Sequence, residues 1–125
     1  MEKQIIFVQN APAAIGPYSQ AVKAGNFIFT SGQLPLNPLT GTMAADIEKQ
    51  TLQSLNNIKS ILEAAGSGLG KVVKTTIFLK DLNDFTKVNE IYNRFFADNY
   101  PARSCIQVAQ IPKDALIEVE AVAVL

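Results

Sequence analysis

The chain has 125 residues, with 11 basic and 11 acidic side chains, no histidine and a single cysteine. Those counts exclude histidine-based triads, cysteine–histidine couples and histidine-rich zinc helices, as well as any intrachain disulfide. Thiolate clusters of structural zinc and the paired cysteines of zinc deaminases are excluded too, so no metal or cofactor is expected.

What remains for chemistry is carboxylates, Arg, Lys, Tyr, Ser, one thiol, backbone groups and water. A hydrophobic fraction of 48% with 18% charged residues is that of a globular chain. Its length predicts one domain over residues 1–125, burying roughly two thirds of its unfolded surface. The apolar runs Ile5–Val8 and Ala121–Leu125 are too short to cross a bilayer, and Glu2-Lys3 before four apolar residues is not a signal peptide. No membrane association and a cytoplasmic location are therefore expected. Zero net charge without a basic stripe predicts no nucleic-acid partner.

In chain order, Lys3–Val8 reads as a strand, followed by a loop through Pro12, Gly16 and Pro17. Ala21–Ala24 and Phe27–Ser31 flank Gly25-Asn26, a hairpin turn of residues that tolerate positive φ. Gly32–Thr42 reads as an ordered loop. From Asp46, a plausible N-cap, Ile47, Thr51, Leu55, Ile58, Leu62 and Ala65 recur at helical spacing, with Gly66 placed to end the helix.

Val72–Lys80 alternates as a strand with Val73, Thr75, Ile77 and Leu79 on one side. Asn83 or Asp84 can cap a second helix whose apolar stripe is Phe85, Val88, Ile91, Tyr92 and Phe95, stopped by Pro101. Arg103–Ala109 and Leu116–Val124 read as a last hairpin around a turn at Gln110–Asp114. The pattern predicts an α+β two-layer domain, a mixed sheet with both helices on one face.

In that hairpin Ile106, Val108, Ile117, Val119, Ala121 and Ala123 are expected to face the helices. Alternation would then send Arg103, Cys105, Gln107, Glu118, Glu120, Val122 and Val124 to the other face. A face fully open to water carries fewer groups such as Cys105, Val122 and Val124, so an oligomer is expected.

Gly66, Gly68, Gly70 and Lys71 glance at a phosphate loop, but Ala65 and Val72 break the pattern, and a helix C-cap and turn explain them. Arg103 could clamp a carboxylate bidentately, or form an interface ion pair beside a small buried thiol at Cys105. Glu118 and Glu120, about 7 Å apart on one strand face, could supply a general acid/base of raised pKa or an ion-pair network. Tyr18 and Ser31 sit at strand–loop junctions, where turn chemistry alone accounts for a hydroxyl.

Four segments together resemble the RidA/YjgF family of reactive intermediate deaminases: APAAIGPYSQAV from Ala11, GNFIFTSGQLPLNPLTG from Gly25, VVKTTIFLKDLNDFTKVNEIY from Val72 and PARSCIQVAQIPKDALIEVEAVA from Pro101. The resemblance implies a chorismate-mutase-like fold, a homotrimer with clefts between subunits, and hydrolysis of 2-iminopropanoate and 2-iminobutanoate released by pyridoxal-phosphate dehydratases.

It further implies that Arg103 binds the substrate carboxylate and Glu118 is the acid/base or water-orienting group. Tyr18, Ser31, Gly32, Asn89 and Cys105 would line the cleft, while Glu120 would not be catalytic. The loop Ala97–Tyr100 reads as shorter than in several members, and Gln107 and Gln110 stand where charged residues are common. The competing expectations are a non-catalytic small-ligand-binding or regulatory trimer and, further off, an endoribonuclease or translation inhibitor.

Overall fold

Residues with period-two patterning form six strands in a computed structural model that describes residues 2–125. They are β1 (Lys3–Ile6), β2 (Ala21–Ala24), β3 (Phe27–Thr30), β4 (Val72–Leu79), β5 (Ala102–Gln107) and β6 (Ile117–Val124), with helices α1 (Ile47–Ala64) and α2 (Phe85–Phe96) between them. The sheet order is β1-β2-β3-β6-β4-β5. Neighbours are antiparallel except β4 and β5. Since β3 and β4 both run antiparallel to β6, each helix is a crossover between strands of one direction, α1 from β3 to β4 and α2 from β4 to β5. The expected mixed α+β layering is what forms.

The helix ends follow from local chemistry. Asp46 caps α1 by accepting from the Lys49 N–H at 3.1 Å. Gly66, at φ +87°, lets the chain turn so that the Ser67 N–H reaches the Leu62 carbonyl at 2.8 Å, a closure that needs the left-handed conformation. At α2 the capping expectation is corrected. Asp84 precedes the helix without a side-chain cap bond, whereas Asp81 accepts from the Asn83 N–H at 2.9 Å and tightens the preceding 3-10 turn. The helix ends at Phe96, ahead of Pro101.

The core lies between the sheet and the helices. Leu55, Ile58, Ile61 and Leu62 of α1 and Val88, Ile91, Tyr92 and Phe96 of α2 pack on Ile28, Ile77, Leu79, Ile117, Val119 and Ala123. Buried polar side chains of α1 tie the long loop after β3 to this core. The Asn57 amide donates to the Leu34 and Leu36 carbonyls, each at 3.0 Å. Gln50 donates to the Ala44 carbonyl at 2.7 Å and accepts from the Leu116 N–H at 2.8 Å. No helix among the described residues is long and apolar enough to cross a membrane.

Three strand expectations fail, each for a definable reason. Val73 is exposed, because the β4–β6 register shifts between Val72 and Lys74 and hands the buried place to Val72. The last hairpin does not form, because β4 lies between β5 and β6.

The third failure matters most for function. Arg103 pairs with Thr75, Cys105 with Ile77 and Gln107 with Leu79, and those three partners are buried beneath the helices. Arg103, Cys105 and Gln107 therefore face the helix layer. Glu118, Glu120, Val122 and Val124 do take the open face, in the rows of Phe78, Thr76 and Lys74. Ile106 joins the row of Phe78 and is 47% exposed. The open face is itself apolar, with Ile5, Phe27 and Phe29 exposed on it. Apolar character on β5 could not tell one face from the other.

Candidate active site

The helix-side half of the site is built on α2. Phe85, Asn89 and Tyr92 recur at i, i+4 and i+7 and so share one helix face. Arg103 of β5 lies against all three. Its guanidinium carbon sits 4.9 Å from the Tyr92 ring centroid and 5.3 Å from that of Phe85, within cation–π range. One of its terminal N–H groups donates to the Asn89 Oδ1 at 2.8 Å.

The Tyr92 hydroxyl is in turn bonded to the Thr75 Oγ1 at 2.7 Å inside the core. Burial raises the pKa of the Tyr92 hydroxyl, with the Thr75 bond and the Arg103 charge opposing. A cation stacked on two rings and held at one N–H keeps its remaining donors oriented for a planar anion. Arg103, Asn89 and Tyr92 border a cavity of about 580 Å³, which Thr86, Tyr100 and Pro101 also line.

The open-face half is made by a mismatch between β3 and β6. Phe29 pairs with Val122, and the next backbone pairing is Gln33 with Val119. One strand thus spends an extra residue, which is the definition of a bulge. Thr30 bridges the gap, its Oγ1 accepting from the Ala121 N–H at 3.0 Å.

Ser31 and Gly32 are displaced toward β6 and Glu118. A Cβ on Gly32 would stand 2.1 Å from Glu118 Oε1, so only glycine here leaves the carboxylate in its place. The Ser31 hydroxyl donates to the Ser19 carbonyl at 2.5 Å, which leaves it only acceptor capacity for anything in the cavity. Gln20 fixes the incoming loop, accepting from the Val8 N–H at 2.7 Å and donating to the Pro12 carbonyl at 2.7 Å.

Tyr18, Ser31, Gly32 and Glu118 line one cavity of about 700 Å³, together with Glu120 and Lys113. Glu118 is half-buried there, and its pKa is raised first by burial and then by the neighbouring Glu120 charge.

The expected site residues thus fall into two groups on opposite faces of the sheet. Tyr18, Ser31, Gly32 and Glu118 meet at the bulge, and Asn89 meets Arg103 against α2. Cys105 lines neither cavity; it packs against the core, where burial raises its thiol pKa and the Arg103 charge opposes. Phe85, Tyr92 and Thr75 were not anticipated as part of the site. The spacing of Phe85, Asn89 and Tyr92 carried that signal, although the two rings read as core.

The arrangement offers an anion clamp and a carboxylate with proton affinity above the ordinary, on a fold that known proteins share. The chain matches the Endoribonuclease L-PSP family over residues 8–125. It belongs to that family, whose members include the RidA and YjgF proteins.

It is 57% identical over 122 residues to the 2-iminobutanoate/2-iminopropanoate deaminase of Escherichia coli strain K12, covering 95% of each chain. The crystal structure of the YjgF gene product from E. coli superposes with a TM-score of 0.94 at 56% identity, over 97% of this chain and 98% of that one. E. coli TdcF with bound serine superposes with a TM-score of 0.95 at 50% identity, over 98% of each chain. The family resemblance expected from the four sequence segments is borne out.

Proposed function

We propose that this protein hydrolyses 2-iminobutanoate and 2-iminopropanoate to the 2-oxo acids and ammonia, in clefts between the subunits of a cytoplasmic homotrimer. The observation that carries the reading is the presence, in a chain 57% identical to a deaminase of that name, of a fixed guanidinium and a half-buried carboxylate of raised pKa. These groups sit on opposite faces of one sheet, so a single cleft holding both takes Arg103 from one subunit and Glu118 from its neighbour. The apolar open face with Ile5, Phe27, Phe29 and Ile106 exposed supplies surface for that assembly.

Arg103 pairs with the substrate carboxylate through the donors that Asn89 leaves free, which fixes the imine carbon. Glu118 accepts a proton from water as its oxygen attacks that carbon. That proton passes to the nitrogen to give a carbinolamine. Glu118 then moves the proton of the new hydroxyl to the nitrogen, so that the C–N bond breaks, ammonia leaves and the carbonyl forms. A raised pKa suits a carboxylate that must take a proton and give it back. Ser31 accepts from the imine N–H or the water, and Tyr18 closes one side of the cleft.

Imines of this kind arise from pyridoxal-phosphate dehydratases, which are the functional neighbours proposed. The ribonuclease in the family description is not favoured, because the bulge-side cavity presents two carboxylates, Glu118 and Glu120, to any phosphodiester.

The test is a coupled assay in which a threonine dehydratase releases the imine and its decay is timed with and without this protein. Faster decay is expected, falling about 10- to 100-fold in kcat/KM for Arg103→Ala and about 10²- to 10⁴-fold for Glu118→Gln. The working form of Glu118 is the carboxylate and its pKa is raised, so activity falls with decreasing pH at values above the ordinary glutamate range. Binding of 2-oxobutanoate without faster imine decay would overturn the catalytic reading in favour of a non-catalytic ligand-binding trimer.

A further inference from the structure

The turn that leads into β6 contains two successive non-glycine residues in the left-handed region, Lys113 at φ +59° and Asp114 at φ +55°. Side chains with a Cβ seldom occupy that region, and rarely as neighbours. The turn is held there from several sides. Ile111 and Ala115 are buried at its two ends. The Asp114 N–H donates to the Ile111 carbonyl at 3.1 Å and the Ala115 N–H to the Pro112 carbonyl at 3.3 Å. The Asp114 carboxylate is engaged by Lys80 Nζ at 2.7 Å.

Those ties leave Lys113 exposed on the wall of the cavity that holds Glu118, Glu120, Tyr18 and Ser31, and among the described residues it is the one cation lining that cavity. Strained backbone that its surroundings hold in place clusters at ligand-binding sites, where it sets side chains that relaxed backbone would place elsewhere.

We propose that Lys113 is a steering residue: the left-handed turn holds its ammonium at the rim of the Glu118 cavity, where it draws in small carboxylate-bearing substrates. This rests on the deaminase reading for the identity of the substrate. Without Lys113, a 2-imino acid would approach two carboxylates with a charge of the same sign, and only Arg103, on the other face of each subunit's sheet, would oppose them. A cation at a cleft mouth raises the local concentration of an anionic ligand, and salt weakens the effect. Lys113 touches no reacting atom and acts on capture alone.

The experiment compares wild-type protein with Lys113→Gln, Lys113→Arg and Lys113→Gly in the coupled imine assay at low and high ionic strength. Binding of 2-oxobutanoate is measured by calorimetry under the same conditions. At low salt kcat/KM of Lys113→Gln falls about 10-fold through KM, and the gap to wild type closes at high salt. Lys113→Arg restores the rate. Lys113→Gly behaves like Lys113→Gln although it relieves the left-handed backbone, which assigns the effect to charge.

Wild-type kcat/KM and wild-type salt response in Lys113→Gln would overturn the proposal, and so would full activity in Lys113→Gly. If the wild-type protein does not accelerate imine decay, the deaminase reading falls. The steering role then stands if 2-oxobutanoate binding weakens in Lys113→Gln at low salt, and falls if it does not.

Discussion

The tightest steric relation in the site is between a residue without a side chain and a carboxylate. The Gly32 Cα lies so close to Glu118 that a methyl group there would sit 2.1 Å from Oε1 and 2.8 Å from the carboxyl carbon. Both atoms belong to the far end of a flexible side chain, so the backbone can stay in place while the carboxylate moves aside. Gly32→Ala is therefore expected to keep its thermal midpoint within a few degrees of wild type. Its kcat/KM should fall by about 10²-fold or more, as an ångström-scale misplacement of a catalytic group does. Thermal unfolding beside the imine assay checks both; full activity in a folded Gly32→Ala protein would remove Glu118 from the place assigned to it. The family resemblance places Gly32 at the cleft, but its closeness to Glu118 exists only once β3 bulges against β6.

Helix α2 does two separable jobs, and they reside in different atoms. The Tyr92 hydroxyl holds the helix to β4 through Thr75, while its ring and that of Phe85 support the Arg103 guanidinium. Asn89 contributes orientation alone, through its bond to the same guanidinium. Tyr92→Phe keeps the ring and strands the buried Thr75 hydroxyl, so it should cost about 1–3 kcal/mol of stability with kcat/KM near wild type. Asn89→Ala should do the reverse, lowering kcat/KM about 10-fold with little loss of stability. Denaturant titrations and the imine assay on both variants read the contrast.

The elements themselves were largely legible in the sequence. Asp46 and Gly66 bound α1 because capping chemistry is local, and Gly25-Asn26 marks the first hairpin for the same reason. The edge strand β5 was legible as a strand, but the way it faces was not. Its orientation depends on parallel pairing with β4, a contact between distant segments, and apolar residues occupy both of its faces. Arg103 and Cys105 were thereby assigned to the wrong side of the sheet.

At the scale of the whole molecule, that correction changes how the site must assemble. Arg103 and Glu118 were expected on one face of one chain, and the resemblance independently implied clefts between subunits. With the two groups on opposite faces, the proposed cleft needs two subunits, one giving the guanidinium against α2 and the other the carboxylate at the bulge. The apolar open face, which had no purpose within a monomer, lies beside the carboxylate. Closed cyclic assembly brings unlike patches of neighbouring subunits together, and that is the geometry the proposed cleft requires.

The most direct measurement is complementation between impaired variants. Arg103→Ala and Glu118→Gln subunits are mixed in equal amounts under conditions that allow exchange, and the imine assay is repeated. A cleft is intact when the subunit giving its clamp carries Glu118→Gln and the subunit giving its carboxylate carries Arg103→Ala. Random assembly makes that combination in about a quarter of clefts, so about a quarter of wild-type activity is expected from two preparations that keep at most about a tenth and about a hundredth of it. Activity in the mixture no higher than the mean of the two variants would contradict the shared cleft, and with it the joint action of Arg103 and Glu118 across a subunit interface.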